Sequence, residues 1–209
     1  MSIENVHDLV VRGKAKLVPA AVQETLDEGV DASAILDTMI SAMDVVGENF
    51  KNGKIFVPEM LIAAKAMKKG VEVLKPHLAS GAAGALGKGI IGTVAGDLHD
   101  IGKNLVAMMI ESAGFEVIDL GVDVPVEKFL SAYEENPGTK IVACSALLTT
   151  TMPALQETVT ALNAAPWRKN VKVMVGGAPI TQEFADKIGA DAYTPDAASA
   201  AKKAKELVA

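Results

Sequence analysis

Apolar residues recur at helical spacing through the first 75 or so positions and in short β-rich runs thereafter. From Asp31, a good N-cap, Ile35, Met39, Met43 and Val46 fall on one helix face. From Pro58, suited to the first helical position, Met60, Ala63, Met67, Val71 and Leu74 do the same. Two earlier segments, 3–12 and 18–28, the latter closed by Gly29, complete a predicted four-helix bundle over residues 1–76. Its Met and Leu stripes read as core packing. Pro76 stops the last helix, and the small, Gly-rich stretch 77–88 (HLASGAAGALGK) reads as a linker. A second domain, 89–209, follows. In it, strand-like runs at 89–95, 116–120, 140–145, 171–175 and 190–193 alternate with helical stretches at 102–113, 126–134, 152–164, 181–188 and 196–208. Five such βα units predict a five-stranded, parallel, doubly wound sheet.

Composition narrows the function classes. The chain has 209 residues, 50% of them hydrophobic and 22% charged, which excludes a disordered chain because apolar burial can offset ordering entropy. The net charge of -6, with no concentrated Lys/Arg patch, argues against nucleic acid as the main partner. A single Cys allows neither an intrachain disulfide nor a Cys-based zinc site, so a reducing, cytoplasmic setting is expected. The first residues lack a basic-then-apolar leader pattern, and the longest uncharged run, 141–156, is too short and Thr-rich to span a bilayer. No membrane partner is expected. Any imidazole chemistry falls to His7, His77 or His99.

Ligands of open parallel sheets bind beyond the carboxyl ends of the strands, where strand order reverses. After the first strand stand Asp97, Leu98, His99, Asp100, Ile101 and Gly102. After the third come Ser145, Leu147, Thr149 and Thr151; after the fourth, Gly176, Gly177 and Ala178; after the fifth, Tyr193 and Thr194. All four clusters fall on one rim, where glycines allow close backbone approach and hydroxyls offer uncharged hydrogen bonds. A large, polar, mostly uncharged ligand is implied. Asp97 and His99, two residues apart in a loop, can share one side; a carboxylate at Nδ1–H fixes the tautomer and leaves Nε2 as a lone-pair donor. An ordinary loop histidine paired with Asp would look the same if the pair stood alone.

The pair does not stand alone. Asp-x-His-x-x-Gly (Asp97, His99, Gly102), Ser-x-Leu (Ser145, Leu147) and Gly-Gly (Gly176, Gly177) together resemble the cobalamin-binding domain of methionine synthase and of the corrinoid proteins of anaerobic methyltransferase systems. The segment from Gly53 to Met60 (GKIFVPEM) and the Ala/Met/Lys helix after it resemble the helical cap of the same family. The resemblance therefore implies a bundle cap followed by a Rossmann/flavodoxin-like cobalamin-binding domain.

It also implies a cofactor and roles. Cobalamin or a related corrinoid would bind base-off/His-on, with His99 as the lower axial ligand of cobalt, Asp97 hydrogen-bonded behind it and Thr151 as the third member of the relay. Ser145, Leu147 and Thr149 match residues lining the nucleotide tail, and Gly176, Gly177 and Ala178 the place where small residues admit it. Tyr193 and Thr194 lie near the expected end of that pocket. Phe50 and Val57 match two apolar positions over the upper face of the corrin; helical periodicity by itself would put both in the bundle core. The implied function is a methyl carrier: Co(I) accepts a methyl group from a substrate-specific methyltransferase, and methylcobalamin, methyl-Co(III), donates it to a second one with a tetrahydrofolate or thiol acceptor. A reductive activase is the third implied partner, and the linker at 80–87 the implied hinge.

Three alternatives belong to other classes. A cobalamin-sensing regulator would carry a basic helix-turn-helix ahead of the bundle, where this chain begins its first helix at residue 3. An adenosylcobalamin mutase subunit would not call for the cap. A receiver domain would need an acceptor Asp where Ser145 stands and a Lys where Tyr193, Thr194 and Pro195 stand.

Overall fold

In the computed structural model, which describes residues 2–78 and 86–209, the helical periodicity of the first third becomes four helices. They are α1 (Ser2–Val11), α2 (Val18–Asp27), α3 (Ala32–Lys51) and α4 (Val57–Leu74). Helix α3 starts where the Asp31 carboxylate accepts the Ser33 N–H at 2.9 Å, satisfying one of the donors that a helix start leaves unpaired. Its stripe of Ile35, Met39, Met43 and Val46 is buried. It packs on α1 and α4, while α2 packs on the same two helices, so that the four close a ring around that stripe.

One boundary differs from the sequence expectation. Pro58 is the second residue of α4, Val57 the first and Phe56 the N-cap. Glu59 accounts for the shift, because its carboxylate accepts the Phe56 N–H at 3.0 Å and so fixes the helix start one residue earlier. Val57, which periodicity placed in the core, is 41% exposed, whereas Met60, one turn on, is fully buried. The apolar stripe starts at Met60, past the residue that opens the helix.

The chain divides into two compact units, one holding these four helices and the other holding the sheet. Most of the stretch read as a linker and hinge, 79–85, lies outside the described residues. No described helix is long and apolar enough to cross a membrane.

The second unit alternates β1 (Lys88–Thr93), α5 (Ile101–Ser112), β2 (Glu116–Asp119), α6 (Val126–Glu135), β3 (Thr139–Ser145), α7 (Met152–Ala164), β4 (Lys172–Gly176), α8 (Gln182–Ile188), β5 (Ala192–Tyr193) and α9 (Ala197–Val208). Thr181 and Asp196, first residues of their expected helices, are instead the N-caps, each accepting a backbone N–H. All neighbouring strands are parallel, in the order β2-β1-β3-β4-β5. Buried Ile90, Val142, Val173 and Val175 of the sheet pack with Phe129 of α6, Leu155, Val159 and Leu162 of α7, and Ile188 of α8. The order has a functional consequence. From the centre, β1 connects outward to β2 and β3 connects the other way to β4, so the crevice where loops diverge lies between β1 and β3.

Candidate functional site

Thr93 and Ser145, the last residues of β1 and β3, are register partners. The loops that leave them therefore start side by side. Asp97 turns back into this junction and is fully buried. Its Oδ1 accepts the His99 N–H at 3.1 Å and lies 2.7 Å from His99 Nδ1. Its Oδ2 accepts the Leu147 N–H at 2.7 Å and the Thr151 hydroxyl at 2.8 Å. Thr151 closes a short 3-10 turn, Thr149–Thr151, ahead of α7, which sets its hydroxyl against Asp97 from the β3 side.

Four donors on one carboxylate decide its charge. Burial alone would raise the Asp97 pKa, but the bonds from the Leu147 N–H, the His99 ring, the Thr151 hydroxyl and the His99 N–H outweigh it and hold the group well below the usual carboxylate range. A carboxylate only accepts, so Nδ1 of the neutral ring carries the hydrogen and Nε2 the lone pair. The His99 side chain is 49% exposed.

The depressed pKa makes an acid-stability prediction for the cofactor-free protein. Stability contributed by ionised Asp97 is present above its ordinary value of 3.8 and is lost as the pH falls below it toward the folded value. Urea midpoints of wild type and Asp97→Asn should differ at pH 5, and the gap should shrink progressively as the pH falls below about 4. A gap of the same size at pH 3 would show that Asp97 is not held ionised.

Thr93, which carries no motif, is a site residue that sequence reasoning missed. Its hydroxyl is buried, donates to the His99 carbonyl at 2.9 Å and lies 2.9 Å from Ser145 Oγ. Since the Thr93 hydrogen goes to that carbonyl, Ser145 is the donor of the second bond, and Ser145 offers a ligand only its lone pairs. Leu147, which the resemblance places along the nucleotide tail, also donates its N–H to Asp97.

At the fourth exit, the Gly176 carbonyl accepts the Ala146 N–H at 3.2 Å. Gly177 follows with φ +128°, and a Cβ there would stand 1.8 Å from the Ala146 carbonyl oxygen. That glycine is dictated by the approach of two backbones. Gly176 is less constrained, a Cβ meeting the Thr194 carbonyl oxygen at 3.5 Å. Ala178 and Thr149 are exposed, as are Asp100 and Gly102, whereas Tyr193 is half-buried against the sheet core. Phe50, half-buried, and Val57 lie in the helical unit.

Every large apolar side chain exposed among the described residues of the α/β unit lies in the two loops around this pair or at the start of α5: Leu98, Ile101, Leu147 and Leu148. Leu98 and Ile101 are 71% and 86% exposed. An apolar rim around a half-exposed imidazole fits a large ligand that brings its own apolar edge. Among the described residues no cluster of three or more His, Cys, Asp or Glu could cage a metal ion. One imidazole whose Nδ1 is tied to a carboxylate therefore suits a metal that arrives with most of its ligands in place, as cobalt does in a corrin.

Comparison with known proteins gives matches of this kind on both units. One B12 binding domain family matches residues 87–202 and a second, also described as a B12 binding domain, matches residues 2–75. Dimethylamine corrinoid protein 1 of Methanosarcina acetivorans is 46% identical over 202 residues, covering 96% of this chain and 94% of its own. A crystal structure of a cobalamin-binding protein from Desulfitobacterium hafniense superimposes with a TM-score of 0.83 at 31% identity, over 99% of this chain and 98% of that one. A chain of the methanol:cobalamin methyltransferase complex of Methanosarcina barkeri gives a TM-score of 0.84 at 29% identity, over 99% of this chain and 79% of its own.

Proposed function

The chain belongs to the corrinoid-protein family built from these two B12 binding domains, and from that premise we propose that it is the methyl-carrying subunit of a methyltransferase system fed by methylated amines. The observation that carries the reading is the buried Asp97 carboxylate bonded to His99 Nδ1 inside an exposed apolar rim. The donor class follows the dimethylamine and trimethylamine corrinoid proteins to which the chain is similar.

When bound, the corrinoid supplies a cobalt centre that takes up and gives up a methyl group. The rest is the work of the chain. His99 would hold the cobalt of the corrinoid through Nε2, in the base-off/His-on mode this reading implies, and Asp97 holds the ring in the tautomer and orientation that keep this lone pair available. Thr151 and the Leu147 N–H hold Asp97. Leu98, Ile101, Leu147 and Leu148 exclude water beside the imidazole. Ser145 and Thr149, with Gly176, Gly177, Ala178 and Tyr193, take the nucleotide tail. Phe50 and Val57 are the contribution of the helical unit to corrinoid binding. The partners in this reading are an amine-specific methyltransferase, a second methyltransferase with a tetrahydrofolate or thiol acceptor, and a reductive activase.

A direct test reconstitutes the protein with cobalamin, reduces it and adds the methyltransferase that copurifies with it, followed by each candidate donor. A methylated amine should convert the absorption spectrum to that of the methylated cofactor, while methanol should not. Conversion by methanol alone would overturn the donor class, and no conversion by any methyl donor would favour a sensor.

Asp97→Asn tests the relay. The amide is of the same size but is a weaker acceptor, and it places an N–H₂ where two of the four donors now point. Corrinoid affinity should fall about 10- to 100-fold, as for other lost outer-shell partners, with a shifted midpoint potential. Wild-type affinity and potential would remove Asp97 from this role.

A further inference from the structure

The loop that carries Asp97 and His99 is also gripped from the β2 side, and we propose that Asp123, in the turn after β2, is a positioning residue that keeps His99 in its ligating geometry. The proposal rests on the corrinoid reading above. Asp123 is the only non-glycine with a positive φ, +53°, among the described residues. That region costs an L-residue free energy, though Asp less than most. The conformation is offset by what it allows. The Asp123 Oδ1 accepts the Gly96 N–H at 2.7 Å, and its own N–H donates to the Asp97 carbonyl at 3.0 Å. Two consecutive residues just ahead of Leu98 and His99 are thus bonded to one side chain and its own amide.

The turn that presents Asp123 is itself fixed. Asp119 Oδ1 accepts the Gly121 N–H at 2.9 Å, and the Gly121 carbonyl accepts the Thr93 N–H at 3.0 Å. Beyond Asp123, the Val124 N–H donates to the Thr93 carbonyl at 2.9 Å. Asp119 also receives the nearly fully buried Lys103 Nζ at 2.6 Å on Oδ1 and 2.5 Å on Oδ2. Lys103 stands in the first turn of α5, directly after the His99 loop. The β2 turn is therefore tied to both ends of that loop, at Gly96 and Asp97 on one side and at Lys103 on the other. None of these bonds reaches the imidazole. They act through the Asp97 main chain, whose position decides where its carboxylate meets Nδ1.

Three variants separate the hydrogen bond from the backbone conformation. Asp123→Asn keeps an acceptor oxygen and tolerates positive φ; Asp123→Gly tolerates it with no acceptor; Asp123→Ala has neither. In cobalamin-loaded protein, the Gly and Ala variants should bind about tenfold more weakly, with a shifted midpoint potential and a smaller imidazole-ligated fraction by spectroscopy. The Asn variant should stay close to wild type. In the cofactor-free protein, the Gly96 and His99 amides of Asp123→Gly should exchange faster than in wild type, with α7 amides unchanged. Wild-type affinity, spectrum and potential in Asp123→Gly would overturn the proposal, because glycine restores everything a merely structural turn needs. If wild type and His99→Ala alike show no imidazole ligation, the corrinoid reading itself fails and the proposal falls with it.

Discussion

His99→Ala should abolish the protein-nitrogen coupling in the electron paramagnetic resonance spectrum of the cobalamin-loaded, one-electron-reduced protein. The signature is separable from that of the nucleotide base if the protein is grown with nitrogen-15 histidine. An axial imidazole nitrogen-15 splits the cobalt lines into doublets, whereas the unlabelled base of the cofactor gives triplets. Wild type should show doublets, and His99→Ala triplets or no nitrogen splitting. The chain has only three histidines, and His7 and His77 both lie in the helical unit, in α1 and in the turn after α4. Affinity should drop by more than the roughly 10- to 100-fold expected for an outer-shell partner, since the ligand itself is gone. Added imidazole should restore much of it, because the truncated side chain leaves room beside Asp97. Doublets in the Ala variant, or triplets in wild type, would sink the ligand assignment.

Gly177→Ala should be the most damaging single-methyl substitution on the rim. Its Cβ would stand 1.8 Å from the Ala146 carbonyl oxygen and 2.8 Å from the carbonyl carbon, at a φ of +128°. Neither contact is with a flexible side chain, so the backbones leaving β3 and β4 must separate and the Ala146 N–H to Gly176 carbonyl bond must lengthen. Overpacking of about 1–3 kcal/mol adds to a backbone cost of about 1–3 kcal/mol. The sum is a large part of a typical folding free energy of about 5–15 kcal/mol. Thermal unfolding of the α/β unit should move down by about 5–15 °C, and cofactor uptake should fall with it. Gly176→Ala is the control: its Cβ would find ordinary contact at 3.5 Å, so its midpoint should shift little. Equal midpoints for the two variants would show that the β3–β4 approach is not what makes Gly177 a glycine.

Local signals explain which parts of the fold were legible. Helix α3 is bounded by Asp31, whose carboxylate accepts the N–H two residues on, so the chemistry of its start is contained in a few neighbouring residues. The Asp97–His99 contact is legible for the same reason, spanning two residues within one loop. Periodicity by itself would bury Val57, because it reports a face without saying how far the neighbouring helices extend, and Val57 stands one turn ahead of buried Met60. Thr93 and Asp123 were missed because the groups they bond are the His99 carbonyl, the Gly96 N–H and the Asp97 carbonyl, main-chain atoms present at every position and therefore silent in the sequence.

By itself the sequence determined the two kinds of secondary structure, their order, and the placing of Asp97 and His99 two residues apart in one loop. Each depends on spacing along the chain, which the residues state directly. The family resemblance implied Thr151 behind Asp97, but only the tertiary structure decided that Asp97 is buried and that the Leu147 N–H joins the Thr151 hydroxyl on it, from 50 and 54 residues away. That outcome depends on β1 and β3 being neighbours in a sheet ordered β2-β1-β3-β4-β5. Strand order is set by how the connecting helices pack across the sheet, a global property that no local pattern encodes, and it alone brings two distant loops together around one carboxylate and one histidine.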